Sequence, residues 1–300
     1  MLISSAMAGT STLFAKKLLL LFHKAQWRKY SPPIGVRPRS MSTATTSYAI
    51  LNPGKRFVSR ASQCALAVMA KAPRPGKVKT RLGPPLTLEQ AAAINICFLR
   101  DTTENIAAAA ASGGATGILS YTPIGDEALF DNLLPAEFAL IRQRGDGFGE
   151  RLLTTAEDLL ACGYSSVCLI DSDSPTVPAA AFEQAVAELE RPGDRVVLGP
   201  SYDGGYYLIG LKRVHSNLFE NINWSTATVF AETILAAKAA DLETVILPLW
   251  YDVDDAATLD ILTGELVHNI PPSFTTIPGY AAEHTRNFLR SLNQQGSDRQ

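Results

Sequence analysis

The chain has 300 residues, 46% hydrophobic and 19% charged, ordinary values for a globular protein with a sizeable core. Its formal net charge of −2 hides an asymmetry: residues 1–63 carry ten Lys or Arg and no acid, leaving 17 basic against 29 acidic residues beyond them. A basic head on an acidic body argues for two segments of different kind, not for a nucleic-acid-binding protein. No 18-residue apolar run occurs, so no membrane span is predicted.

In chain order, residues 1–62 read as a basic, disordered extension or a targeting segment. They are rich in Ser, Thr, Lys and Arg, are broken by Pro32, Pro33 and Pro38, and hold a candidate amphipathic helix at 14–30. An organelle transit peptide has this composition, and so does an extension ahead of a later start at Met41. The expected location is cytoplasmic, or an organelle if residues 1–60 are a transit peptide. A strand is expected at 65–70, followed by a loop over 71–85. Thr87 and Gln90 then make a capping box that opens a helix to about residue 111, stopped by Gly113-Gly114. Further strands are expected at 117–121 and 138–142, with a short helix at 127–134 between them. A Gly-rich loop at 145–151 leads into a helix ending near Cys162. An apolar strand at 167–170 and a helix at 179–190 come next. Strands at 195–198 and 206–211 flank a turn-rich loop, and Ser225 or Thr226 is expected to cap a helix to about 240. A strand at 244–249, a helix at 255–262 and a terminal helix at 283–292 complete the series.

Strands alternating with helices predict an α/β fold with one doubly wound, mostly parallel sheet, in three α/β/α layers. The expected division is 1–62, a transferase domain at 63–265, and a C-terminal extension at 266–300. Four cysteines (Cys64, Cys97, Cys162, Cys168) show no metal-ligand spacing and read as reduced, buried thiols.

Three stretches carry chemistry. The loop after the first strand holds five cations in eleven positions, Lys71 to Arg81, where an α/β fold holds phosphates. It is neither a Walker loop nor a dinucleotide fingerprint. Its blander reading is a solvated basic loop. The strand at 167–170 empties into Asp171-Ser-Asp173, and ligands of open α/β sheets bind outside such strand ends. An Asp-x-Asp pair there suits Mg²⁺ or Mn²⁺, hard ions that take carboxylate and phosphate oxygens; Asp173 capping the next turn is the local alternative. The loop at 199–205 places Asp203 where it would face an acceptor, with Gly204 and Gly205 permitting close backbone approach. It also reads as a hairpin turn of the Asp-Gly type. Asp254, at the end of Trp250-Tyr-Asp-Val-Asp-Asp255, would complete the metal site, or else Asp254 or Asp255 caps a helix. Gly147 and Gly149, at a helix start, suit ligand contact. The four histidines avoid all these loops, which disfavours a zinc hydrolase or a His-based triad.

Together these motifs resemble the GT-A-fold radical-SAM/selenodomain-associated transferase 1 family. The carrying stretches are Ala70-Lys-Ala-Pro-Arg-Pro-Gly-Lys-Val-Lys-Thr-Arg-Leu82, Gly145-Asp-Gly-Phe-Gly-Glu-Arg151, Ile170-Asp-Ser-Asp-Ser-Pro-Thr-Val-Pro178 and Gly199-Pro-Ser-Tyr-Asp-Gly-Gly-Tyr-Tyr207, with Asn223-Trp-Ser-Thr226 and Asp252-Val-Asp254. The resemblance implies a nucleotide-diphospho-sugar-transferase-like fold, a divalent metal, and distant kinship with the guanylyltransferases of deazaflavin-cofactor and molybdopterin synthesis. It also implies that Lys71, Lys77, Lys79 and Arg81 grip donor phosphates, and that the Asp171/Asp173 region and Asp254 match the metal aspartates.

The expected function is therefore a divalent-metal-dependent transferase that moves a glycosyl or nucleotidyl group from a nucleotide donor to a small-molecule acceptor. Lys79, Arg81 and Asp203 would act in catalysis; Lys71, Lys77, Gly147, Gly149, Gly204 and Gly205 would bind the donor; Asp171, Asp173 and Asp254 would hold the metal. One alternative is a haloacid-dehalogenase-like phosphatase, whose Asp-x-Asp opening Ile170-Asp-Ser-Asp resembles; that motif belongs on an early strand, whereas about a hundred folded residues precede it here. The other is a non-catalytic nucleotide-binding module.

Overall fold

The computed structural model describes residues 48–111 and 113–297, with side chains to residue 294. Strand β2 (Cys64–Lys71) shows how the sheet is built. Cys64, Leu66, Val68 and Ala70 enter one apolar cluster, while Ala65, Ala67 and Met69 enter the other. Both faces are buried, which is why the sequence there is a continuous apolar run and not an alternation. Beside it lie β3 (Ala115–Thr122) and β5 (Ser166–Ile170), both parallel to it. The remaining strands are β1 (Ala49–Ile50), β4 (Ala139–Arg142), β6 (Arg195–Pro200), β7 (Tyr206–Leu211) and β8 (Glu243–Ile246). The order across the sheet is β1-β4-β3-β2-β5-β7-β6-β8. Among the described strands only β7 runs antiparallel, to β5 on one side and β6 on the other.

Helices cover both faces. Helix α1 (Leu88–Ala110), α3 (Ala179–Glu190), α5 (Ala256–His268) and α6 (Glu283–Ser297) pack on one, through Ile94, Phe98, Phe182, Leu262 and Leu289. On the other lie α2 (Phe148–Ala161) and α4 (Val229–Ala239), through Leu152, Leu159 and Phe230. The expected three-layer, doubly wound, mostly parallel sheet is what forms. Cys64, Cys162 and Cys168 are buried, Cys97 is half-buried, and all four thiols are free.

The structure departs from the expected elements at several points. The boundary at 62/63 falls inside the described fold: β1 adds an edge strand to β4, and the Tyr48 hydroxyl donates to the Leu134 carbonyl at 2.7 Å. The basic stretch at 14–30 and Met41 lie outside the described residues. The expected helix at 127–134 is a short 3₁₀ turn, Glu127–Phe130. At the other end, α6 is docked onto the domain. The buried Asp101 carboxylate accepts the His284 and Thr285 backbone N–H groups and the Thr285 hydroxyl, satisfying donors that a helix start leaves open. Among the described residues, no helix is long and apolar enough to cross a membrane.

Candidate functional site

The parallel strands β2, β5 and β6 all finish at one edge of the sheet, and antiparallel β7 starts there. Two joined clefts open at this edge. One, of about 360 Å³, is acidic and aromatic; it is lined by Asp171, Asp203, Asp252, Phe148, Tyr206 and Trp224, among others. The second, of about 230 Å³, is basic, lined by Lys71, Lys77, Thr80 and Asn95. Arg81, Asp173 and Asp254 line both.

Local sequence explains how the acids arrive. After β5 the chain bends at Ser172-Asp173 before Pro175 enters the next turn, and Asp171 caps this bend. Its carboxylate accepts the Ser174 hydroxyl at 2.7 Å and the Asp173 N–H at 3.4 Å. That leaves the Asp173 carboxylate for Lys79. The second acidic loop is tied to the first by Val253 N–H donating to the Asp173 carbonyl at 2.9 Å. Three acids follow Tyr251 here, and the structure separates their duties. Asp255 makes a capping box with Thr258 and opens α5; Asp252 accepts the Ser201 hydroxyl at 2.7 Å; Asp254 is left to pair with cations.

Those cations come from the basic loop. Lys79 has φ +48°, a left-handed conformation uncommon for a residue with a Cβ. From there its ammonium reaches Asp173 at 2.8 Å, Asp254 at 3.0 Å and the Val253 carbonyl at 2.8 Å. Three N–H bonds meet three acceptors, so Lys79 acts as a staple between the acidic loops. Burial alone would lower its pKa, but Asp173 and Asp254 outweigh burial and hold it above the ordinary lysine value. Arg81, largely exposed, pairs with the other Asp254 oxygen. Lys71 and Lys77 stand exposed on the rim of the basic cleft.

Asp171 and Asp252 differ from these. Neither makes an ion pair among the described residues. Desolvation, then the neighbouring charges of Asp173 and Asp252, push Asp171 well above the usual carboxylate range. Asp252 is pushed up to about 6 by burial first, then by Asp203. Hard oxygen donors whose mutual repulsion is uncompensated are the chemistry that a divalent cation relieves. The expected set Asp171, Asp173 and Asp254 does not close into a tight ligand cluster, because Lys79 stands between the last two, and exchanging Asp254 for Asp252 does not close it either. Among the described residues, the His/Cys/Asp/Glu group whose ligand atoms all approach within 4.8 Å is Asp101, Glu104 and His284, which lines neither cleft. There Asp101 is engaged in holding α6.

The glycines divide. Gly205 lines the acidic cleft, and its N–H donates to Asp203 at 2.8 Å, so this loop is both a hairpin turn and a wall of the site. Gly147, Gly149 and Gly204 line neither cleft; the last two shape the walls. A Cβ on Gly149 would lie 2.2 Å from the Trp224 ring nitrogen, so glycine is what lets Trp224 seat on the start of α2. Gly204 has φ +98°, and a Cβ there would lie 2.2 Å from the Ala227 carbonyl oxygen. This contact also explains why Ser225 and Thr226 do not cap α4: Ser225 turns at φ +63°, and the helix opens only at Val229. Gly204→Ala is expected to cost about 2 kcal/mol, the range for a side chain forced into a strained backbone region. The urea midpoint should fall while Gly205→Ala, with its contacts no closer than 3.2 Å, loses less.

Sequence reasoning missed Asp252 and the aromatic wall of Phe148, Tyr206 and Trp224, whose rings meet edge to face. The signals were present in Asp252-Val-Asp254 and Asn223-Trp-Ser-Thr226, but neither motif says locally which residue faces the cleft. Tyr202, beside Asp203, stacks on Phe274 at 4.9 Å and does not line the cleft.

Residues 105–226 match the family described as uncharacterized protein conserved in bacteria (DUF2064). No curated protein matches. Among solved structures, a "putative nucleotide-diphospho-sugar transferase" from Desulfovibrio desulfuricans G20 is 30% identical over 77% of this chain and 98% of its own, with a TM-score of 0.63. Far more distant is a CMP:2-keto-3-deoxy-manno-octonic acid synthetase complexed with CTP. It is 11% identical over 69% of this chain and all of its own, with a TM-score of 0.45. With the described sheet and this coverage, the chain belongs to the family of the Desulfovibrio protein and has a nucleotide-diphospho-sugar-transferase-like fold.

Proposed function

We propose that the chain is a divalent-metal-dependent transferase that takes a nucleotide donor and passes a glycosyl or nucleotidyl group to a small acceptor. The observation that carries this reading is the junction: Arg81, Asp173 and Asp254 line both the basic cleft and the acidic, aromatic one. A donor lying across it would keep its phosphates among Lys71, Lys77 and Arg81 and its reacting bond beside the aspartates. The resemblance to radical-SAM/selenodomain-associated transferases and the fold shared with the Desulfovibrio relative support it.

Asp171, Asp173 and Asp252 are the carboxylates that would hold Mg²⁺ or Mn²⁺. The ion would neutralise charge on the donor phosphates and on the departing group. Lys79 has no free N–H for a phosphate; its part is to fix Asp173 and Asp254 in place. Asp203 and Gly205 face the acceptor side, where Phe148, Tyr206 and Trp224 offer flat apolar surface to a ring. Positioning and charge neutralisation suffice for such a transfer and need no histidine.

Thermal melts over a panel of nucleotides and nucleotide sugars, with and without Mg²⁺ or Mn²⁺, test the reading. A true donor stabilises the native state by about 2.7 kcal/mol at a hundredfold excess over its Kd. Asp171→Asn should abolish the metal-dependent part of that shift. Released pyrophosphate then identifies nucleotidyl transfer, and released nucleoside diphosphate identifies glycosyl transfer. If no donor moves the melt with either ion, or if phosphate becomes trapped on Asp171, the proposal fails.

A further inference from the structure

The end of the sheet opposite the two joined clefts carries a cavity of its own, of about 540 Å³. It opens at the amino ends of β2, β3 and β4, and its wall includes Arg60, Gln63, Thr116, Glu137 and Tyr164. An eight-residue strand such as β2 spans about 26 Å, so a ligand here would not reach the acidic edge. The wall is anchored. Phe57 N–H donates to the Cys162 carbonyl at 3.0 Å, which holds the 3₁₀ turn Val58–Arg60 against the end of α2. Gly163 permits that approach: it has φ +105°, and a Cβ there would lie 2.8 Å from the Phe57 carbonyl oxygen.

Two polar side chains in this wall are left unfinished. The Arg60 guanidinium lies over the Phe57 ring at 4.2 Å and the Tyr164 ring at 5.2 Å, contacts that favour its charge but satisfy no N–H. Its Nη1 is buried without a hydrogen-bond partner, and among the described residues Arg60 makes no ion pair. The chain ahead of it offers none, since residues 1–63 contain no acid. The other arginines with an unspent buried nitrogen differ: Arg195 and Arg286 are paired with glutamates, and Arg100 lines none of the three cavities. Tyr164 is 4% exposed, and its hydroxyl is buried with no hydrogen bond of ordinary geometry. Burial pushes its pKa up, while the Arg60 charge and the nearby Thr116 hydroxyl pull the other way. The Thr116 proton is spent on the Gln63 Oε1 at 2.9 Å. Arg60, the Tyr164 hydroxyl and the Gln63 amide N–H groups are therefore donors around one space, and a buried donor left unmade weakens the native state unless a ligand completes it.

The charges fix what that ligand is. One guanidinium matches one carboxylate through its planar fork. A doubly charged phosphate would face a single cation, with the Glu137 carboxylate on the same wall. The rings of Tyr48, Phe138 and Tyr164 make much of the remaining surface apolar, the usual company of a few placed polar groups in a small-molecule site. We propose that this cavity binds a small monocarboxylate with an aromatic body, its carboxylate held by the Arg60 guanidinium and the Tyr164 hydroxyl. The site is separate from the transfer clefts and does not depend on how those are read.

The test titrates benzoate, benzamide and inorganic phosphate calorimetrically into the full chain and into Arg60→Met, Tyr164→Phe and Lys77→Ala. Benzoate should bind wild type, and benzamide, of the same shape without the charge, about tenfold more weakly. Arg60→Met and Tyr164→Phe should each weaken benzoate by about tenfold, the loss of a hydrogen bond to a charged group. Tyr164→Phe should melt no lower than wild type without ligand, because the hydroxyl removed had no partner; it also keeps the test open should Arg60→Met disturb the ring contacts. Lys77→Ala should bind benzoate as wild type does. If affinity falls with Lys77→Ala and not with Arg60→Met, the carboxylate goes to the basic cleft and the proposal fails. It fails equally if wild type binds no benzoate, or if phosphate binds more tightly than benzoate and depends on Arg60. A Tyr164→Phe protein that loses stability with its benzoate affinity intact would make the hydroxyl structural and overturn its assignment.

Discussion

Replacing Lys79 with Met is expected to destabilise the native state by about 3 kcal/mol, read as a lower urea midpoint at an unchanged denaturant slope. Removing one partner of a buried ion pair costs about 3–5 kcal/mol, because the charge left behind loses its compensation. The lower end applies here, since the Asp173 and Asp254 side chains keep 32% and 35% of their exposure while that of Lys79 keeps 4%. Methionine fills the space of the stem, so lost packing is a minor part, although the ammonium 5.7 Å from the Phe98 ring centroid is given up. The sign of the pH dependence follows from the raised pKa of Lys79. A cation whose folded pKa exceeds its unfolded one contributes in full below the unfolded value, and that contribution is lost as pH rises through the folded value. The difference between wild type and variant should thus stay constant from about pH 6 to 9 and narrow only above the ordinary lysine range. Adding Asp173→Asn should recover part of the loss, since Asp173 is the charge left without a cation while Asp254 keeps Arg81. A variant as stable as wild type at pH 7 would show that Lys79 is not the staple between the acidic loops.

The contrast between Lys79 and its neighbours shows what the sequence carried and what it did not. β2 and β5 announced themselves, because strands buried on both faces need unbroken apolar runs. The start of α1 was equally plain, because Thr87 and Gln90 form a capping box within four residues. The acidic edge was legible too, since strands of this kind end where ligands bind. The division of labour at that edge was not. Lys79 and Asp254 are 175 residues apart, and nothing near either names its partner. Asp252, Asp254 and Asp255 are chemically alike in sequence; only the capping box to Thr258 takes Asp255 out of the site and leaves the other two. β1 escaped notice because two residues give no period, and its place depends on Tyr48 reaching Leu134. The opening of α4 was misplaced for a similar reason. Ser225 and Thr226 are good caps by type, but the approach of Gly204 to Ala227 keeps that stretch out of the helix.

Trp250→Ala should have the largest effect on stability, about 4 kcal/mol, within the range for emptying a buried aromatic site. Trp250 has no exposed surface, and its ring nitrogen donates to the Thr176 hydroxyl at 3.0 Å. Its backbone donates to the Pro200 carbonyl and accepts from Tyr202 N–H, so the residue joins the ends of β5 and β6 to the loop that carries Asp252 and Asp254. A melting-temperature fall of about 10 °C corresponds to this loss in a chain of this size. Trp250→Phe separates the two contributions. It keeps most of the ring contact and gives up the hydrogen bond, leaving the Thr176 hydroxyl buried with one partner fewer, at a cost of about 1–2 kcal/mol. Because the ring holds the loop and not the ligand, Trp250→Phe should weaken the metal-dependent donor shift less than Asp171→Asn does. A Trp250→Phe protein that melts like wild type but loses all metal-dependent binding would reverse that assignment. It would then place Trp250 in the transfer site itself, and not in the scaffold behind it.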